Sequence, residues 1–361
     1  MVQEPETARF DSMPRNAIGS VPADMVAPAS ELPEKLISIL KHISAVKSPP
    51  APEVKDKSAL EKIILLLRVY TGNDFSLYKK NTMYRRIERR MEVHHIDKIA
   101  SYVHFLQENQ KEGEILFKEL LIGVTNFFRD ALVWDMLKKV VIPNRVAKLQ
   151  ANTTTMRAWV PGCSTGEEAY SLAIVFKEAL EKTKPNRSFS LQIFATDLDM
   201  DAIEAARKGL FSANIASDVS PERLNRFFTP TDDGYRVSTE IREMIVFAQH
   251  NIIMHPPFTR IDILSCRNLL IYLDTELQKK LLGLFYFCIN PEGIIVLGSS
   301  ETPGTQNALF TPVDAKLKIY KRSDTITAPE LIDFPASFSR CLPESRQNKE
   351  NCCSTPYQSC Y

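Results

Sequence analysis

The sequence predicts an α/β protein in which a small helical unit precedes a doubly wound parallel sheet with a small β insertion. Two observations carry this. Apolar runs at 157–160, 191–195, 244–248, 261–265 and 294–297 read as buried strands, and amphipathic stretches at 167–180, 200–208 and 275–287 fall between some of them. Strands alternating with helices argue for a parallel sheet with helices on both faces. Upstream of residue 156 the texture is helical instead, with patterns at 78–92, 99–107 and 114–121.

Taken in chain order, residues 1 to about 45 mix a short helical pattern with irregular sequence, and 46–57, AVKSPPAPEVKDKS at its fullest, reads as a linker rich in Pro and Lys. Ser58 and Glu61 have capping-box spacing, which places a helix start at 58. Leu60, Ile63, Ile64 and Leu67 then share one apolar face. The helical unit is expected over 58–130 and the α/β unit over 131–322. Within the latter, about 211–241 interrupts the alternation with FFTP and TDDGYRV, the texture of a β-hairpin. Beyond 322 periodicity vanishes, and 323–361, with Cys341, Cys352, Cys353 and Cys360, reads as a disordered tail.

Composition narrows the function classes. A net charge of +1 over 361 residues excludes bulk nucleic-acid binding, which needs a basic footprint. No window approaches the ~18 consecutive apolar residues of a membrane span, and the first fifteen residues lack the pattern of a secretory signal. Seven cysteines without CxxC pairing suggest reduced thiols in the cytoplasm, and no Cys/His spacing suggests a metal.

Three segments carry chemistry. The first strand runs into PGCSTGEEAYS, where Gly162 and Gly166 allow close backbone approach to a ligand at a helix N-terminus. The second strand ends in ATDLD, so Asp197 leaves the sheet where a dinucleotide-type fold puts an acid on ribose hydroxyls. Together they outline an adenosine-binding crevice. The same GCSTG fits the nucleophile elbow of α/β-hydrolases, so an esterase with Ser164 as nucleophile and His250 or His255 as base is the rival reading; it leaves Asp197 and the Glu167–Glu168 pair without a role. In the helix at 78–92, Tyr84, Ile87 and Met91 share a face, while Arg85, Arg86, Arg89 and Arg90 fan over the other. Such a stripe is either a solvated face or a surface for an acidic partner.

With these residues assembled, the chain resembles the chemotaxis receptor glutamate methyltransferases, the CheR-type family. The likeness runs from about 58 to 322 through MYRRIERRM, VTNFFRD at 124–130, PGCSTGEEAYS, ATDLD, QHNI at 249–252, SCRNLLIY at 265–272 and GSSET at 298–302. It implies an all-helical N-terminal domain, a class-I S-adenosylmethionine methyltransferase (Rossmann-like) sheet and an inserted β-subdomain. Carried over by motif, Thr125 and Arg129 border the cofactor's methionine end, and Glu168 and Asp197 contact the cofactor, Asp197 on the ribose. Asn251 and Ile252 flank the adenine, Arg267 and Asn268 close the pocket, and Tyr272 lies near the transferred methyl. Arg129 and Tyr272 are the candidates for holding the substrate carboxylate, and Arg86, Arg89 and Arg90 for meeting the cytoplasmic helices of a chemoreceptor. The resemblance further implies a cytoplasmic protein, expected as a monomer, with no direct membrane insertion.

One position departs from the family pattern: Gly123 stands where Asn is usual, two residues before the threonine of the TxFFR motif. Family members that grip a receptor's tail peptide do so by adding it to the β-subdomain, and the hairpin here is short for such members. Residues 1–45 resemble the end of a CheB-type receptor methylesterase domain, as in a fused esterase–transferase chain, with the esterase's Ser, His and Asp missing from the segment. A binding protein that senses cofactor or docks on receptor without catalysis is the second function class.

Overall fold

The structure is a computed structural model describing residues 2–8, 26–34, 54–121, 123–149 and 154–324. The tail at 325–361, most of 1–45 and most of the linker lie outside the described residues; the described part of 1–45 includes a two-residue parallel pairing of Val2–Gln3 with Val26–Ala27 and a short 3-10 turn at Pro5–Thr7.

Four helices form the first unit: α1 (Val54–Thr71), α2 (Lys80–Val93), α3 (Ile99–Glu108) and α4 (Gln110–Leu120). The capping box does not form. Because α1 already runs from Val54, Ser58 sits a turn inside it; a helix nucleated upstream propagates through such a residue at little cost. Leu60, Ile63, Leu67, Ile87, Tyr102 and Leu116 build the unit's core. On α2 the buried stripe is Met83, Ile87 and Met91, and Tyr84 is only half-buried.

The next helix has no counterpart in the sequence reading. Residues Ala131–Met136 (α5) pass through a π-helical stretch, Leu137–Val141, into Ile142–Lys148 (α6). Pro143 disguises it. The proline falls at the first turn of α6, directly after the widened π turn, where its missing N–H costs least.

A seven-stranded sheet follows. Its strands are β1 (Thr155–Pro161), β2 (Ser190–Asp197), β6 (Ile245–Gln249), β7 (Ile261–Cys266), β8 (Ile289–Leu297), β9 (Phe310–Asp314) and β10 (Ile319–Arg322). The spatial order is β9-β10-β8-β7-β1-β2-β6. From β8 to β6 all neighbours are parallel, whereas β10 runs antiparallel to both β8 and β9. Helices α7 (Glu167–Thr183), α8 (Met200–Lys208) and α10 (Thr275–Cys288) connect the strands. Side chains alternate across the sheet as period two requires: Ala158, Val160 and Ile263 join one core with Tyr170 and Ile174, while Trp159 and Leu264 join the other with Phe285.

The insertion is a three-stranded antiparallel sheet: β3 (Leu210–Phe211), β4 (Phe228–Thr231) and β5 (Gly234–Val237), with α9 (Pro221–Phe227) leading into β4. Gly234 is obligatory. Its φ is +143°, and a Cβ there would lie 2.2 Å from the Phe211 carbonyl oxygen.

The helical unit is stitched onto the sheet by its α1–α2 connection. Lys79 N–H donates to Tyr272 O and Asp274 N–H to Leu77 O, both at 2.9 Å, around a bridge pairing Tyr78 with Leu273. At the other end Asn251 Nδ2 donates to Asn73 Oδ1 at 2.8 Å. Lys118 on α4 also pairs with Asp201 on α8. Among the described residues no helix is long and apolar enough to cross a membrane.

Candidate functional site

Strand order reverses at β1: the chain moves from β1 outward to β2 and β6, then returns to lay β7 on the other side. In open α/β sheets ligands bind at the carboxyl ends of the strands at such a switch point. A cleft of about 1120 Å³, counting the part open to solvent, lies there. Thr125, Arg129, Glu168 and Asp197 line it, as do Asn251, Ile252, Arg267, Asn268 and Tyr272. All nine residues carried over for the cofactor and substrate carboxylate therefore share one cavity.

The turn after β1 is held by Asp197. Ser164 N–H donates to its Oδ2 at 2.8 Å and Asp199 N–H to its Oδ1 at 3.0 Å. Ser164 itself has φ +48°, a conformation that such a bond helps to hold. Burial raises the Asp197 pKa, and the backbone bonds offset only part of that. The two glycines of this turn do different jobs. Gly162 lines the cleft, but Gly166 faces Ala206 and Phe247, so its missing Cβ serves helix–sheet packing and not ligand approach.

Glu168 forms part of the floor. Its pKa is raised by burial, while Arg267 and a 2.7 Å bond from Ser265 Oγ act in the other direction. Arg267 is a hub more than a wall: its side chain is 1% exposed. It donates to Glu168 Oε2 at 3.3 Å, to Arg129 O at 2.8 Å and to Asp130 Oδ2 at 2.6 Å, leaving Nε without a partner. Arg129 O also accepts from Trp134 Nε1 at 2.8 Å. The backbone on either side of Arg129 is left-handed, with Phe128 at φ +51° and Asp130 at +59°. The Arg129 guanidinium makes only a long 3.5 Å bond to Val124 O, and among the described residues no carboxylate pairs with it.

Sequence reasoning missed Glu301, although the GSSET motif containing it stood out. Buried at 4% exposure, it accepts N–H bonds from Gly298 (2.7 Å), Asn268 (3.0 Å) and Ile271 (3.2 Å). The carboxylate thereby fixes the turn that carries Arg267, Asn268 and Tyr272. Tyr78 and Asn73 were missed as well, because nothing local in the helical unit marks them as neighbours of the cleft.

The hydrolase arrangement is absent. Ser164 Oγ donates to Gly123 O at 3.0 Å, His250 Nε2 is occupied by Pro256 O at 3.0 Å, and His255 Nδ1 accepts from Asn251 N at 3.1 Å. Among the described residues no base meets the serine. The same bond gives Gly123 a role: a Cβ there would stand 3.1 Å from Ser164 Oγ.

The arginine stripe on α2 is narrower than its sequence suggests. Arg85 and Arg89 are exposed. Arg86 is half-buried, 3.8 Å from Glu119. Arg90 leaves the stripe altogether, turning inward onto the carboxylate of Glu112, which is 4% exposed and also accepts from Tyr102 Oη and meets His94 Nε2. Burial would raise the Glu112 pKa, but hydrogen bonds from Arg90, Tyr102 and His94 outweigh it and hold it below the ordinary value.

Comparison with known proteins bears on this geometry. Residues 58–121 match the all-alpha domain of the CheR methyltransferases, and residues 123–319 match their SAM binding domain. An uncharacterized 104.1 kDa protein of Rhodobacter capsulatus is 34% identical over 351 residues, 91% of this chain. The chain spans 37% of that relative's length. The chemotaxis protein methyltransferase of Borreliella burgdorferi is 28% identical, covering 68% of this chain and 88% of its own. That of Escherichia coli is 29% identical, with 65% and 80% covered.

Proposed function

The chain belongs to the CheR methyltransferase family, and from that premise we propose that it transfers the methyl group of S-adenosylmethionine to glutamate side chains on the cytoplasmic helices of chemotaxis-type receptors. One observation carries the reading: residues scattered from Thr125 to Tyr272 border a single cleft at the switch point of the sheet, among them Arg129, whose guanidinium pairs with no carboxylate among the described residues.

The cleft suits the cofactor by its donor set. Asp197 uses one lone pair on each oxygen for backbone amides and keeps others for ribose hydroxyls. Glu168 adds a second carboxylate to the lining. S-adenosylmethionine, when bound, supplies a methyl group on a sulfonium, which is electrophilic without further activation. An ordinary glutamate is ionised at neutral pH, so the chain needs no general base. Its work is to position that carboxylate near attack distance and to strip water from it. In this reading Arg129 orients the carboxylate through charge-assisted hydrogen bonds and Tyr272 adds a neutral one. Arg267 acts behind them, holding the backbone of Arg129 by its carbonyl. Arg86 and Arg89 meet the acidic receptor helices, and the protein acts as a cytoplasmic monomer.

The test is incubation with radiolabelled S-adenosylmethionine and receptor-bearing membranes, followed by counting base-labile label. Label on the receptor is expected. A protein that binds cofactor but never labels receptor would instead be an adaptor.

A further inference from the structure

The α1–α2 connection crosses the mouth of the cleft, pinned at Asn73 to Asn251 and at Leu77 and Lys79 to the Tyr272–Asp274 segment. Tyr78 is the residue this span presents to the cavity. Its ring packs on Phe75 at 4.6 Å and touches the core of the helical unit and that of the sheet. Among the described residues its hydroxyl makes no hydrogen bond, and the hydroxyl is not one of the sealed-off polar atoms. Tyr78 is half-buried between the two cores, and a tyrosine packed in this way normally spends its hydroxyl on a partner.

We infer that Tyr78, supplied by the helical unit, is a cofactor-binding residue whose hydroxyl hydrogen-bonds the ribose beside Asp197. The inference rests on the methyltransferase reading. The phenol is suited to donating this bond. Burial first, and then the charge of Asp197, push its pKa up to about 12, so it stays a neutral donor at any working pH. Asp197 accepts from ribose hydroxyls, and Tyr78 donates to a ribose oxygen; the sugar is read by one acceptor and one donor from different units. Cofactor binding then ties the two units together through the sugar.

Titration calorimetry with S-adenosylhomocysteine and its 2′-deoxy and 3′-deoxy analogues tests this on wild type and on Tyr78→Phe, which keeps the ring and its packing. Tyr78→Phe is expected to weaken S-adenosylhomocysteine about fivefold, the loss of one neutral hydrogen bond. One of the two deoxy penalties seen in wild type should be about fivefold smaller in the variant, because the Tyr78 share of that contact is already gone while the bond to Asp197 is kept. Equal affinities, or identical deoxy penalties in both proteins, would overturn the role of Tyr78 while leaving the methyltransferase reading intact. A wild type that binds none of the three ligands would remove both.

Discussion

Arg90 donates through Nε and Nη2 to the two carboxylate oxygens of Glu112, at 2.8 and 2.7 Å, and this bidentate pair ties α2 to α4. It makes Arg90 a fold residue. Breaking a buried pair by removing one partner strands the other charge, so Arg90→Ala should lose about 3 kcal/mol of unfolding free energy in urea titrations. The folded pKa of Glu112 is depressed, so its contribution is present above the ordinary carboxylate pKa and is lost as pH falls through the folded value. Wild type and Glu112→Gln should therefore converge in stability at acid pH. An Arg90→Ala protein as stable as wild type would show the pair to be idle.

Arg86 and Arg89 are the arginines left to face a partner. Changing both to Glu should cut receptor methylation at least about tenfold, since like charges then oppose an acidic surface. S-adenosylhomocysteine affinity should not move. Raised salt should weaken the wild type in the same direction. Equal methylation by the double variant would mean the face is merely solvated.

Arg129 and Tyr272 are expected to matter more for turnover than for affinity, because contacts realised mainly in the transition state appear in kcat. Arg129→Ala should lower kcat about thirtyfold or more, and Tyr272→Phe about tenfold, in line with charged and neutral hydrogen bonds. Ser164→Ala, which loses only a bond to Gly123 O, should keep most methylation. Ester hydrolysis that vanished with Ser164, in a protein showing no methylation, would reverse the assignment.

Asp197→Ala should weaken S-adenosylhomocysteine by about 1–3 kcal/mol, and it also strands the Ser164 and Asp199 amides. The wild-type affinity should depend on pH. Burial raises the pKa of both Asp197 and Glu168 in the free protein, whereas a ligand's hydrogen-bond donors favour their charged forms. Affinity is thus full above the raised values and falls as pH drops through them, with protons released on binding. Calorimetry in buffers of different ionisation enthalpy measures that release; none at mildly acid pH would contradict the assignment.

The β insertion should not hold a receptor tail peptide. Its order, β3-β5-β4, leaves β4 as the longer edge, and Pro230 in β4 has no N–H to offer an added strand. The opposite edge is only Leu210–Phe211. Titration with a tail peptide should detect no binding at micromolar concentration; a micromolar or tighter complex would be a clear failure.

How far the chain could be read from its residues depended on whether the signal was local. Strand β7 (Ile261–Cys266) is buried at every position, so 261–265 stood out as an apolar run. The β9–β10 ribbon escaped notice because FTPVD and IYKR, with exposed Thr311 and Pro312, carry no such run. Helices α5 and α6 were hidden by Pro143, whose compensating π turn has no sequence mark of its own. The motif residues of the cleft were legible as a set, yet Arg267 turned out to bind Arg129 O and Asp130, a relation no spacing rule contains. Arg90 looked like a surface arginine because its partner stands 22 residues away on another helix.

The hydrogen bond between Asn251 and Asn73 joins residues 178 apart in the chain, and those from Arg267 to Asp130 and from Ser265 to Glu168 span 137 and 97. A cleft closed by such distant pairs gains nothing from early local structure during folding. Loop-closure entropy has to be met before these contacts stabilise anything, which puts them late on the route. The helices of the first unit, whose contacts are short in sequence, are free to assemble while the ribosome is still adding β2. Competence to bind a nucleoside should then switch on abruptly, once the Arg267–Tyr272 segment has emerged and folded back against a scaffold already in place.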